Sequence, residues 1–330
     1  MQPYPASWYR VADSIDVVPG IINRLHYLGR DLIAYRTSSG RAVVADAHCP
    51  HLGADLTDGS LDNGDLICPF HAWRFGASGR CIHIPYSDKT PAAAILRTYP
   101  VREFDGVIAI YWDESGREPE WEPNGFPEDD NTNWTPFARK AWRISTHVQD
   151  IVENVPDAAH QAVIHNAVGI PDFEFEIAGH RISGVTRGTY AFPGGPPGGV
   201  RVTGHFENLG LGVTNIRLVD RSDGVELNRQ LQLCRTPVDG DLVEATIAQR
   251  TRGFGDPEAD AALNAKIVHA TWEDFERDIP IWEKKIYRAL PSRVEFNRGE
   301  RASALCDGEG AIVQFRNWSR QFYTNAECGV

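Results

Sequence analysis

The sequence predicts an α+β protein with two domains, and three observations support this prediction. The N-terminal third consists of short apolar runs separated by turns that contain Gly and Asn, a pattern typical of small antiparallel β domains. Strand-like runs return in residues 180–250, and a helical pattern begins at Asp256. A length of 330 residues suits about two domains.

The first domain is assigned to residues 1–115. Its strand-like runs include "LIAYR", "RAVV" and "GVIAIYW", and segments such as "DNG" and "ASG" form the turns between such runs. Residues 116–135 are rich in Pro, Gly and acidic residues and follow no hydrophobic period, so we interpret them as a linker. The second domain is assigned to residues 136–330.

The second domain begins with "VQDIVENVPDAAHQAVIHNAVGIP", a segment whose centre is helical in pattern. Strand-like runs such as "VTNIRLVD" and "LVEATIAQR" follow in residues 180–250. The insert "FPGGPPGG", Phe192–Gly199, is an irregular loop, and the sequence leaves open whether it is a substrate lid or an uninvolved surface turn. A long helix then runs from Pro257 towards Leu290, with Asp256 as its N-cap.

Composition and charge exclude several classes of function. The chain has 33 Lys+Arg and 45 Asp+Glu, a formal net charge of −12, which argues against binding to nucleic acid or to an anionic membrane surface. The N-terminus lacks the pattern of a secretory signal, and no apolar run approaches the length of about 18 residues that spans a bilayer. We therefore expect a cytoplasmic protein with no membrane span. Six cysteines are too sparse for a disulfide scaffold, so a close Cys pair indicates a metal site.

Four potential metal ligands are concentrated in the segment that ends at Trp73. One residue separates Cys49 from His51, and two residues separate Cys68 from His71. Two thiolates and two imidazoles can hold either a zinc ion or a [2Fe–2S] cluster. Pro and Gly restrict both loops and strand-like sequence separates them, which favours two loops that clamp a two-iron cluster. The neighbouring residues that fit no position of this pattern, and that we interpret as ordinary buried or surface residues, are His48, Cys81 and His83.

A second group of potential ligands lies in "ENVPDAAHQAVIH" and contains Asn154, Asp157, His160 and His165. Two imidazoles and one carboxylate on one face of a ferrous ion, with open positions for oxygen, form the facial triad of non-haem iron oxygenases. At about 100° per residue, the side chains of His160 and His165 point about 140° apart on an unbroken helix. Such a helix would not present both imidazoles to one metal. The sequence therefore predicts that the helix ends or is distorted near His165.

The carboxylate of this triad must come from elsewhere in the chain. In "WEDFERDIPIWEKKIYRAL" an apolar stripe with helical spacing should face the core. Asp278 lies at one edge of this stripe and Glu283 at the other, whereas Glu273 and Asp274 point further away. Pro280 removes a helical hydrogen bond beside Asp278 and should kink the helix there. On the residues alone, Asp278 and Glu283 both remain candidates.

These motifs together resemble those of Rieske non-haem iron oxygenases. The pattern "CPHLG…CPFHAWRF" is similar to the Rieske motif. The segments "HVQDIVENVPDAAHQAVIH", "DFERDIPIW" and "NWSRQFY" look like those of the steroid and sterol branch, which includes 3-ketosteroid 9α-hydroxylase oxygenases and sterol 7-desaturases. Some similarity extends to the arylamine-oxidising aminopyrrolnitrin oxygenase. The chain is thus identified as a member of the terminal oxygenase components of this family.

The resemblance assigns the metal ligands. The ligands that it implies for the [2Fe–2S] cluster are Cys49 and Cys68 on one iron and His51 and His71 on the other. The ligands that it implies for a mononuclear Fe(II) are His160, His165 and Asp278.

The resemblance also assigns catalytic roles to Asp157 and Asn154. In relatives the residue that matches Asp157 bridges a histidine of the mononuclear site to a Rieske histidine of a neighbouring subunit. Carried over, Asp157 would connect His160 to His71 or His51 across an interface, because a carboxylate fixes the orientation of the imidazole that it contacts. This arrangement requires an oligomer, which we expect to be a homotrimer.

The fold that the resemblance implies is an N-terminal antiparallel β Rieske domain and a catalytic domain in which a curved antiparallel sheet wraps a long C-terminal helix, a helix-grip or START-like arrangement. The implied function is that of a monooxygenase. Electrons from NAD(P)H would reach it through a reductase or ferredoxin, and O2 would be used to hydroxylate a small, steroid-like or polycyclic hydrophobic substrate. Alternatives are desaturation, dealkylation or arylamine N-oxidation, and a non-enzymatic electron-transfer or ligand-binding protein.

Overall fold

The computed structural model describes residues 4–127, 133–192, 194–286, 306 and 309–323. The chain divides into two compact units. The first contains Met1–Gly125 together with Thr236–Gly240, and the second contains Phe126–Arg235 and Asp241–Val330. The boundaries expected from the sequence, with a separate linker at 116–135, stay a prediction.

The described residues of the first unit form ten strands in three antiparallel sheets, as the turn spacing predicts. One sheet has the order β1-β10-β9, the second β2-β3-β4 and the third β5-β6-β7-β8. The strands of this unit are β1 Ser7–Asp13, β2 Asn23–Tyr27, β3 Arg30–Arg36, β4 Ala42–Asp46, β5 Ser60–Asp62, β6 Asp65–Ile67, β7 Arg74–Phe75, β8 Cys81–His83, β9 Val101–Phe104 and β10 Val107–Trp112.

A hydrophobic core joins the second and third of these sheets. Ile33 and Tyr35 of β3 pack in one cluster with Leu66 of β6 and Phe75 of β7. Apolar side chains of this size supply most of the free energy that stabilises such a small β domain. Cys49 and Cys68 belong to the same cluster, and so do Cys81 and Trp73. The core therefore holds the loops that carry the predicted cluster ligands.

The second unit is built on a seven-stranded antiparallel sheet with the order β11-β17-β16-β15-β14-β13-β12. Its strands are β11 Ala138–Ser145, β12 Asp172–Ala178, β13 Arg181–Tyr190, β14 Val200–Leu209, β15 Val213–Ser222, β16 Val225–Asp239 and β17 Leu242–Thr251. Except for β11 and β17 at one edge, the order follows the chain, so each strand pairs with the next. These strands confirm the prediction of β-strands in residues 180–250.

One face of this sheet is covered by helix α3, Pro257–Glu276. The Nε1–H of Trp142 in β11 donates to Glu276 at 2.9 Å, and Arg229 in β16 reaches Thr271 at 3.5 Å. The strand register pairs Arg229 with Leu218, so both side chains lie on the helix-facing side. A large antiparallel sheet with a C-terminal helix on one face confirms the predicted α+β class.

The helices differ from the sequence prediction in two places. The segment that begins at Val148 forms two short helices, α1 Val148–Glu153 and α2 Ala158–Ile164. The long helix predicted from Pro257 towards Leu290 ends at Glu276, and α4, Ile279–Trp282, follows after a break. Pro280 explains the break, because its ring clashes with the carbonyl four residues earlier, which is that of Glu276.

The predicted N-cap of α3 is confirmed, since the side chain of Asp256 accepts hydrogen bonds from two backbone N–H groups of the first turn. A fifth helix, α5 Gly310–Ser319, lies near the C-terminus and packs against α1. Leu290, where the long helix was expected to end, lies outside the described residues. No helix in the part of the chain that the structure describes is both long and apolar enough to cross a membrane.

Candidate metal centres

The two loops that carry the predicted cluster ligands have the same backbone geometry. The carbonyl of Cys49 accepts a hydrogen bond from the N–H of Gly53 at 2.9 Å, and that of Cys68 accepts one from Ala72 at 3.0 Å. Each cysteine N–H donates to the carbonyl five residues later, at 2.9 Å in both loops. The residue four positions after each cysteine has a positive φ, 74° at Gly53 and 56° at Ala72. Both loops therefore turn sharply at the same point after the cysteine.

This shared geometry brings the histidines of the two loops together. The ring centroids of His51 and His71 are 4.8 Å apart, with an interplanar angle of 69°. The ring of His51 also stacks on Trp73 at 4.2 Å and 10°. Trp73 is fixed in turn by a 2.8 Å hydrogen bond from its Nε1–H to the hydroxyl of Tyr86. Aromatic packing thus orients one imidazole and places it beside the other.

The donor atoms of these four residues fit a [2Fe–2S] cluster. Burial, followed by the neighbouring Cys68 thiol, raises the pKa of the Cys49 thiol to about 11, so a bound cation is needed to stabilise a thiolate there. The buried Nδ1 of His71 has no hydrogen-bond partner among the described residues. An unpartnered buried nitrogen is costly unless it ligates a metal. Two soft sulfurs and two imidazoles are the donors of a Rieske-type cluster.

The residues near these loops that fit no ligand position behave as the sequence indicated. Cys81 is buried in the core cluster, and its thiol contacts the carbonyl of His83 at 3.6 Å. His48 and the side chain of His83 lie on the surface.

The second candidate centre lies where α2 ends. His160 is inside the helix, whereas His165 follows its last residue and has φ −108° and ψ 21°. Asn166, the next residue, has a positive φ of 60°, so the helix cannot continue. The prediction that the helix ends near His165 is confirmed. Because of this end, the two imidazoles lie with ring centroids 5.0 Å apart at an angle of 84°.

Asp278 completes this second centre. Ligand atoms of His160, His165 and Asp278 all lie within 4.8 Å of one another, and this is the one such group of three or more His, Cys, Asp or Glu side chains among the described residues. His165 and Asp278 are each 6% exposed. Asp278 lies in the break between α3 and α4, as the kink at Pro280 predicts. Glu283, the rival candidate, is exposed at the end of α4. Two imidazoles and one carboxylate fit a mononuclear iron.

The ring nitrogens of His160 have different environments. Its Nδ1 contacts the backbone carbonyl of Asp157, which must accept a hydrogen bond from it. Its Nε2 receives a contact from the amide of Gln161 at 3.4 Å and therefore carries a lone pair. The tautomer with a proton on Nδ1 leaves Nε2 available to a metal.

Charges around the centre shift the pKa values of its residues. Burial alone would lower the pKa of His165, but the carboxylates of Asp274 and Asp278 raise it to about 9. Burial would raise the pKa of Asp157, but hydrogen bonds and charge from His160 hold it below its usual value. A dipositive ion would replace the proton on His165 and satisfy the same carboxylates.

The two predicted catalytic residues lie at helix ends, Asn154 at the end of α1 and Asp157 at the start of α2. Asp157 is the N-cap of α2, and its Oδ1 accepts the N–H of His160 at 3.3 Å. Its Oδ2 lies 3.8 Å from Nδ1 of the same histidine. The Oδ1 of Asn154 accepts a 3.3 Å hydrogen bond from Nε1–H of Trp282 in α4. Asn154 therefore connects the end of α1 to the helix that follows Asp278.

Asp274 is a residue that sequence reasoning misplaced. The helical wheel pointed it away from the site, whereas its Oδ2 lies 3.1 Å from Nδ1 of His165. The wheel judged each position against the apolar stripe and contains no information about α2, against whose end this carboxylate lies. The spacing of four residues between Asp274 and Asp278, about one helical turn, is the signal that could have found this carboxylate.

Three polar side chains of the sheet, those of Arg229, Asp220 and Tyr190, lie on the helix-facing side beside this centre. The guanidinium of Arg229 pairs with Asp220 at 2.6 Å, and both side chains are largely buried. The hydroxyl of Tyr190 donates to Gln161 at 3.3 Å. Burial raises the pKa of Tyr190 to about 12, and the charges of Asp274, Arg229 and Asp220 also act on it. The surrounding apolar side chains on this side include Val202, Phe206 and Leu218.

Comparisons with known protein families match nearly the whole chain. Residues 7–100 match the Rieske [2Fe-2S] domain, and residues 110–323 match the 3-ketosteroid 9alpha-hydroxylase C-terminal domain. A cholesterol 7-desaturase of Bombyx mori is 31% identical over 98% of this chain and 70% of its own length. The oxygenase component of a 3-ketosteroid-9-alpha-monooxygenase of Rhodococcus rhodochrous is 26% identical over 98% of this chain and 81% of its own length.

Solved structures show the same fold at lower identity. Dicamba monooxygenase bound to dicamba aligns with a TM-score of 0.69 and 22% identity, over 96% of both chains. NdmA of Pseudomonas putida CBB5 with caffeine aligns with a TM-score of 0.70 and 17% identity, over 95% of this chain and 89% of its own. Identities this low support the fold alone.

Proposed function

Because the chain belongs to the Rieske non-haem iron oxygenases with a catalytic domain of the 3-ketosteroid 9α-hydroxylase type, we propose that it hydroxylates a C–H bond of a steroid-like or polycyclic hydrophobic substrate. Its cofactors are a [2Fe–2S] cluster and a mononuclear iron, and it is the terminal oxygenase of a system that uses O2 and electrons from a reductase. The observation that carries the proposal is the convergence of His160, His165 and Asp278 beside the helix-facing side of the sheet.

The ligand assignments are part of this proposal. We infer that Cys49, Cys68, His51 and His71 hold the cluster and that His160, His165 and Asp278 hold the iron. When bound, the cluster supplies single electrons and the iron activates O2. The protein holds Nε2 of His160 free of a proton through the contact of Nδ1 with the carbonyl of Asp157. Three protein ligands on one side leave the other positions open.

The substrate is expected on the helix-facing side of the sheet. The side chains of Val202, Phe206 and Leu218 make that side of the sheet apolar, which suits a hydrophobic skeleton. The Arg229–Asp220 pair has no net charge, so it suits a neutral oxygen such as a ketone or hydroxyl better than a carboxylate. A substrate with an apolar skeleton and one polar oxygen fits both features. The loop Phe192–Gly199, which the sequence leaves open as a lid or a surface turn, contains Pro193, a residue outside the described ones.

We further propose a homotrimer in which the cluster of one subunit lies beside Asp157 of the next. Large apolar side chains are exposed next to both centres, Leu52 at 65% and Phe70 at 62% in the cluster loops and Val163 at 81% in α2. Exposed apolar residues clustered around a polar site are typical of protein interfaces. The proposed partners are a second and third copy of the chain and a reductase or ferredoxin.

The trimer is tested by Phe70→Glu, with Ile15→Glu as a control at another exposed apolar residue of the first unit. We expect sedimentation velocity to show a trimer for the parent and the control and smaller species for Phe70→Glu, with the cluster absorbance retained. Asp157→Asn should retain iron and slow electron transfer between the centres. A monomeric parent protein would contradict the proposal. We also propose a cytoplasmic location, since six scattered cysteines that form no disulfide scaffold fit a reducing compartment.

Desaturation is the second candidate activity, because the desaturase of Bombyx mori has the higher identity of the two relatives described above. A carrier without an iron site is disfavoured, since the carrier function would not require the three converging side chains.

The activity is tested by oxygen consumption of the purified protein with a surrogate reductase. The panel contains ketosteroids, sterols, arylamines and alkaloid-like compounds, and products are identified by mass spectrometry. We expect coupled O2 uptake with one steroid class and a product heavier by one oxygen atom. Loss of two hydrogens instead would establish desaturation. Uncoupled uptake with every steroid and turnover of an arylamine would overturn the substrate proposal.

A further inference from the structure

We propose that Asp274 is a positioning residue for the mononuclear iron, which it serves by fixing the imidazole of His165. This inference rests on the proposed ligand set, and it concerns a residue outside that set. Asp274 lies in the last turn of α3, and its carboxylate contacts the ring nitrogen of His165 that the iron does not need.

The imidazole of His165 has one carboxylate at each ring nitrogen. Asp278 Oδ2 lies 3.1 Å from Nε2, and Asp274 Oδ2 lies 3.1 Å from Nδ1. The Asp274 oxygen is off the axis of the Nδ1–H bond, so the contact is one of charge at ion-pair distance. The ring itself is buried between these two groups. A carboxylate at Nδ1 favours the tautomer with its proton there and directs the lone pair of Nε2 towards Asp278.

The carboxylate of Asp274 is held in place by Arg277, which also contacts the end of α2. Its Oδ1 pairs with the guanidinium of Arg277 at 3.4 Å. Arg277 also donates to the backbone carbonyl of Ile164 at 3.1 Å, and Ile164 directly precedes His165. Two contacts thus connect the end of α3 to the end of α2: Asp274 contacts the His165 ring, and Arg277 contacts the carbonyl of the preceding residue, Ile164. A carboxylate with its own partner keeps its position when the ring rotates.

The two histidines of the centre therefore differ in the group behind the ring. Nδ1 of His160 contacts the backbone carbonyl of Asp157 and has the carboxylate of that residue further away, at 3.8 Å, whereas Nδ1 of His165 faces the carboxylate of Asp274 at 3.1 Å. A carboxylate behind a ligand imidazole raises its basicity more than a carbonyl does, and loss of such a group typically costs 10–100-fold in metal affinity. His165 should be the stronger of the two imidazole ligands, with Asp274 as the cause.

The test compares Asp274→Ala and Asp274→Asn with Glu273→Ala in the complete protein. Glu273 is the adjacent control, because it is exposed and pairs at the surface with His269 at 3.3 Å. Fe(II) affinity of the mononuclear site is measured by competition with a chelator, and the nitric oxide complex of the ferrous site is examined by electron paramagnetic resonance. Cluster absorbance and Tm are recorded for every variant.

We expect Asp274→Ala to weaken Fe(II) binding about 10–100-fold and to change the resonance of the nitric oxide complex. Asp274→Asn should weaken Fe(II) binding to a similar extent, because the amide keeps the shape of the side chain but lacks the charge on which the contact with Nδ1 depends. Glu273→Ala should match the parent. Unchanged affinity and resonance in Asp274→Ala would overturn the proposal.

A further variant, His165→Ala, distinguishes this failure from failure of the ligand set. If His165→Ala loses the iron while Asp274→Ala keeps it with the parent affinity, the ligand set stands and the role of Asp274 is refuted. If His165→Ala also keeps the iron, the ligand set itself is wrong. A fall in Tm with unchanged metal binding would show that Asp274 only stabilises the fold, which also refutes the proposal.

Discussion

The Nε2 atom of His165 lies 3.1 Å from a carboxylate oxygen of Asp278. The two residues come from distant parts of the chain, and each lies just where a helix stops: His165 after α2 and Asp278 between α3 and α4. Helix ends leave backbone groups without partners and allow side-chain directions that a continuous helix forbids. The centre therefore depends on two helix terminations, one at Asn166 and one at Pro280.

Asp278→Asn should abolish turnover. The amide has the same shape but lacks the negative charge that a ferrous ion requires, so we expect the mononuclear iron content to fall while the cluster spectrum is retained. Metal analysis should show about three irons per chain in the parent and about two in the variant. Glu283→Gln is the control, since Glu283 is exposed at the end of α4. If Glu283→Gln loses the iron instead, the assignment of Asp278 is wrong.

Cys68→Ser should remove the [2Fe–2S] cluster. A serine oxygen is a poor replacement for a thiolate on iron, so the broad visible absorption of the cluster should disappear. Cys81→Ser is the matched control, because Cys81 is buried in the same core cluster and fits no ligand position. The control should keep the cluster and lose only some stability. Equal loss of colour in both variants would indicate that disruption of the core, rather than loss of a ligand, removes the cluster.

The sequence predicted those features of the sites that depend on local spacing. The Cys–His loops were visible because only one residue separates Cys49 from His51 and only two separate Cys68 from His71. The end of α2 at His165 followed from the angle of about 140° that an unbroken helix imposes. Asp278 was left with the rival Glu283, and the structure brings Asp278 and not Glu283 to the histidines. The hydrophobic pattern alone could not decide between Asp278 and Glu283, because the two residues lie at opposite edges of the same apolar stripe.

Features that depend on distant partners were not predictable in this way. Asp274 was misplaced because the helical wheel contains no information about α2, against whose end the carboxylate lies. The pair of Arg229 and Asp220 is invisible in the sequence, since only the strand register places both on the helix-facing side. Periodicity reports which side of an element is apolar, whereas these contacts depend on which other element packs there.

Glu153→Ala should destabilise the second unit by about 3–5 kcal/mol. The carboxylate of Glu153 in α1 accepts a 2.7 Å hydrogen bond from Arg316 in α5 and contacts Lys285 at 3.3 Å. Glu153 and Arg316 are both almost fully buried, so the change leaves a cation without its closest counter-ion. Thermal and urea unfolding measure the loss. Glu174→Ala is the control at an exposed ion pair and should change stability by less than about 1 kcal/mol.

A small effect of Glu153→Ala, equal to that of the control, would show that water or other groups compensate Arg316. The double variant Glu153→Leu with Arg316→Met separates the two explanations. It removes both charges and should recover most of the lost stability, because replacing a buried pair by apolar groups is often close to neutral.

Protonation of the buried imidazole of His147 should make the protein less stable in mild acid. Burial lowers the pKa of His147 to about 4, and its Nδ1 accepts the N–H of Gln149 at the start of α1. The folded protein thus binds a proton less readily than the unfolded chain, whose histidine pKa is about 6.5. The neutral ring contributes fully above pH 6.5, and stability should fall by about 3 kcal/mol as the pH drops towards 4.

His147→Asn tests this assignment, because Asn is also a good N-cap but does not titrate. Urea unfolding between pH 4 and 7 should show the parent losing about 3 kcal/mol relative to the variant as the pH falls, since only the parent has to protonate a buried imidazole. A constant difference between the curves over this range would show that His147 does not cause the acid sensitivity.

Arg229 should recognise a polar oxygen of the substrate. Its guanidinium pairs with Asp220 and reaches Thr271 of α3, on the side of the sheet that faces the metal centre. Loss of Arg229 alone would leave Asp220 buried without a partner, so the informative variant is Arg229→Met combined with Asp220→Asn. For a substrate with a ketone or hydroxyl we expect KM to rise about 10–100-fold with a smaller change in kcat, because the lost contact is present before and during the reaction.

The control is Arg221→Met. Arg221 lies on the next strand position after Asp220, so its side chain points to the other face, where it pairs with Glu226 at 2.9 Å. A matched pair of substrates, one with the oxygen and one with hydrogen in its place, isolates the contact: the double variant should discriminate between them less than the parent, and Arg221→Met should discriminate equally well. If the double variant raises KM for both substrates alike, the Arg229–Asp220 pair only shapes the helix-facing side of the sheet and makes no specific contact with the substrate oxygen.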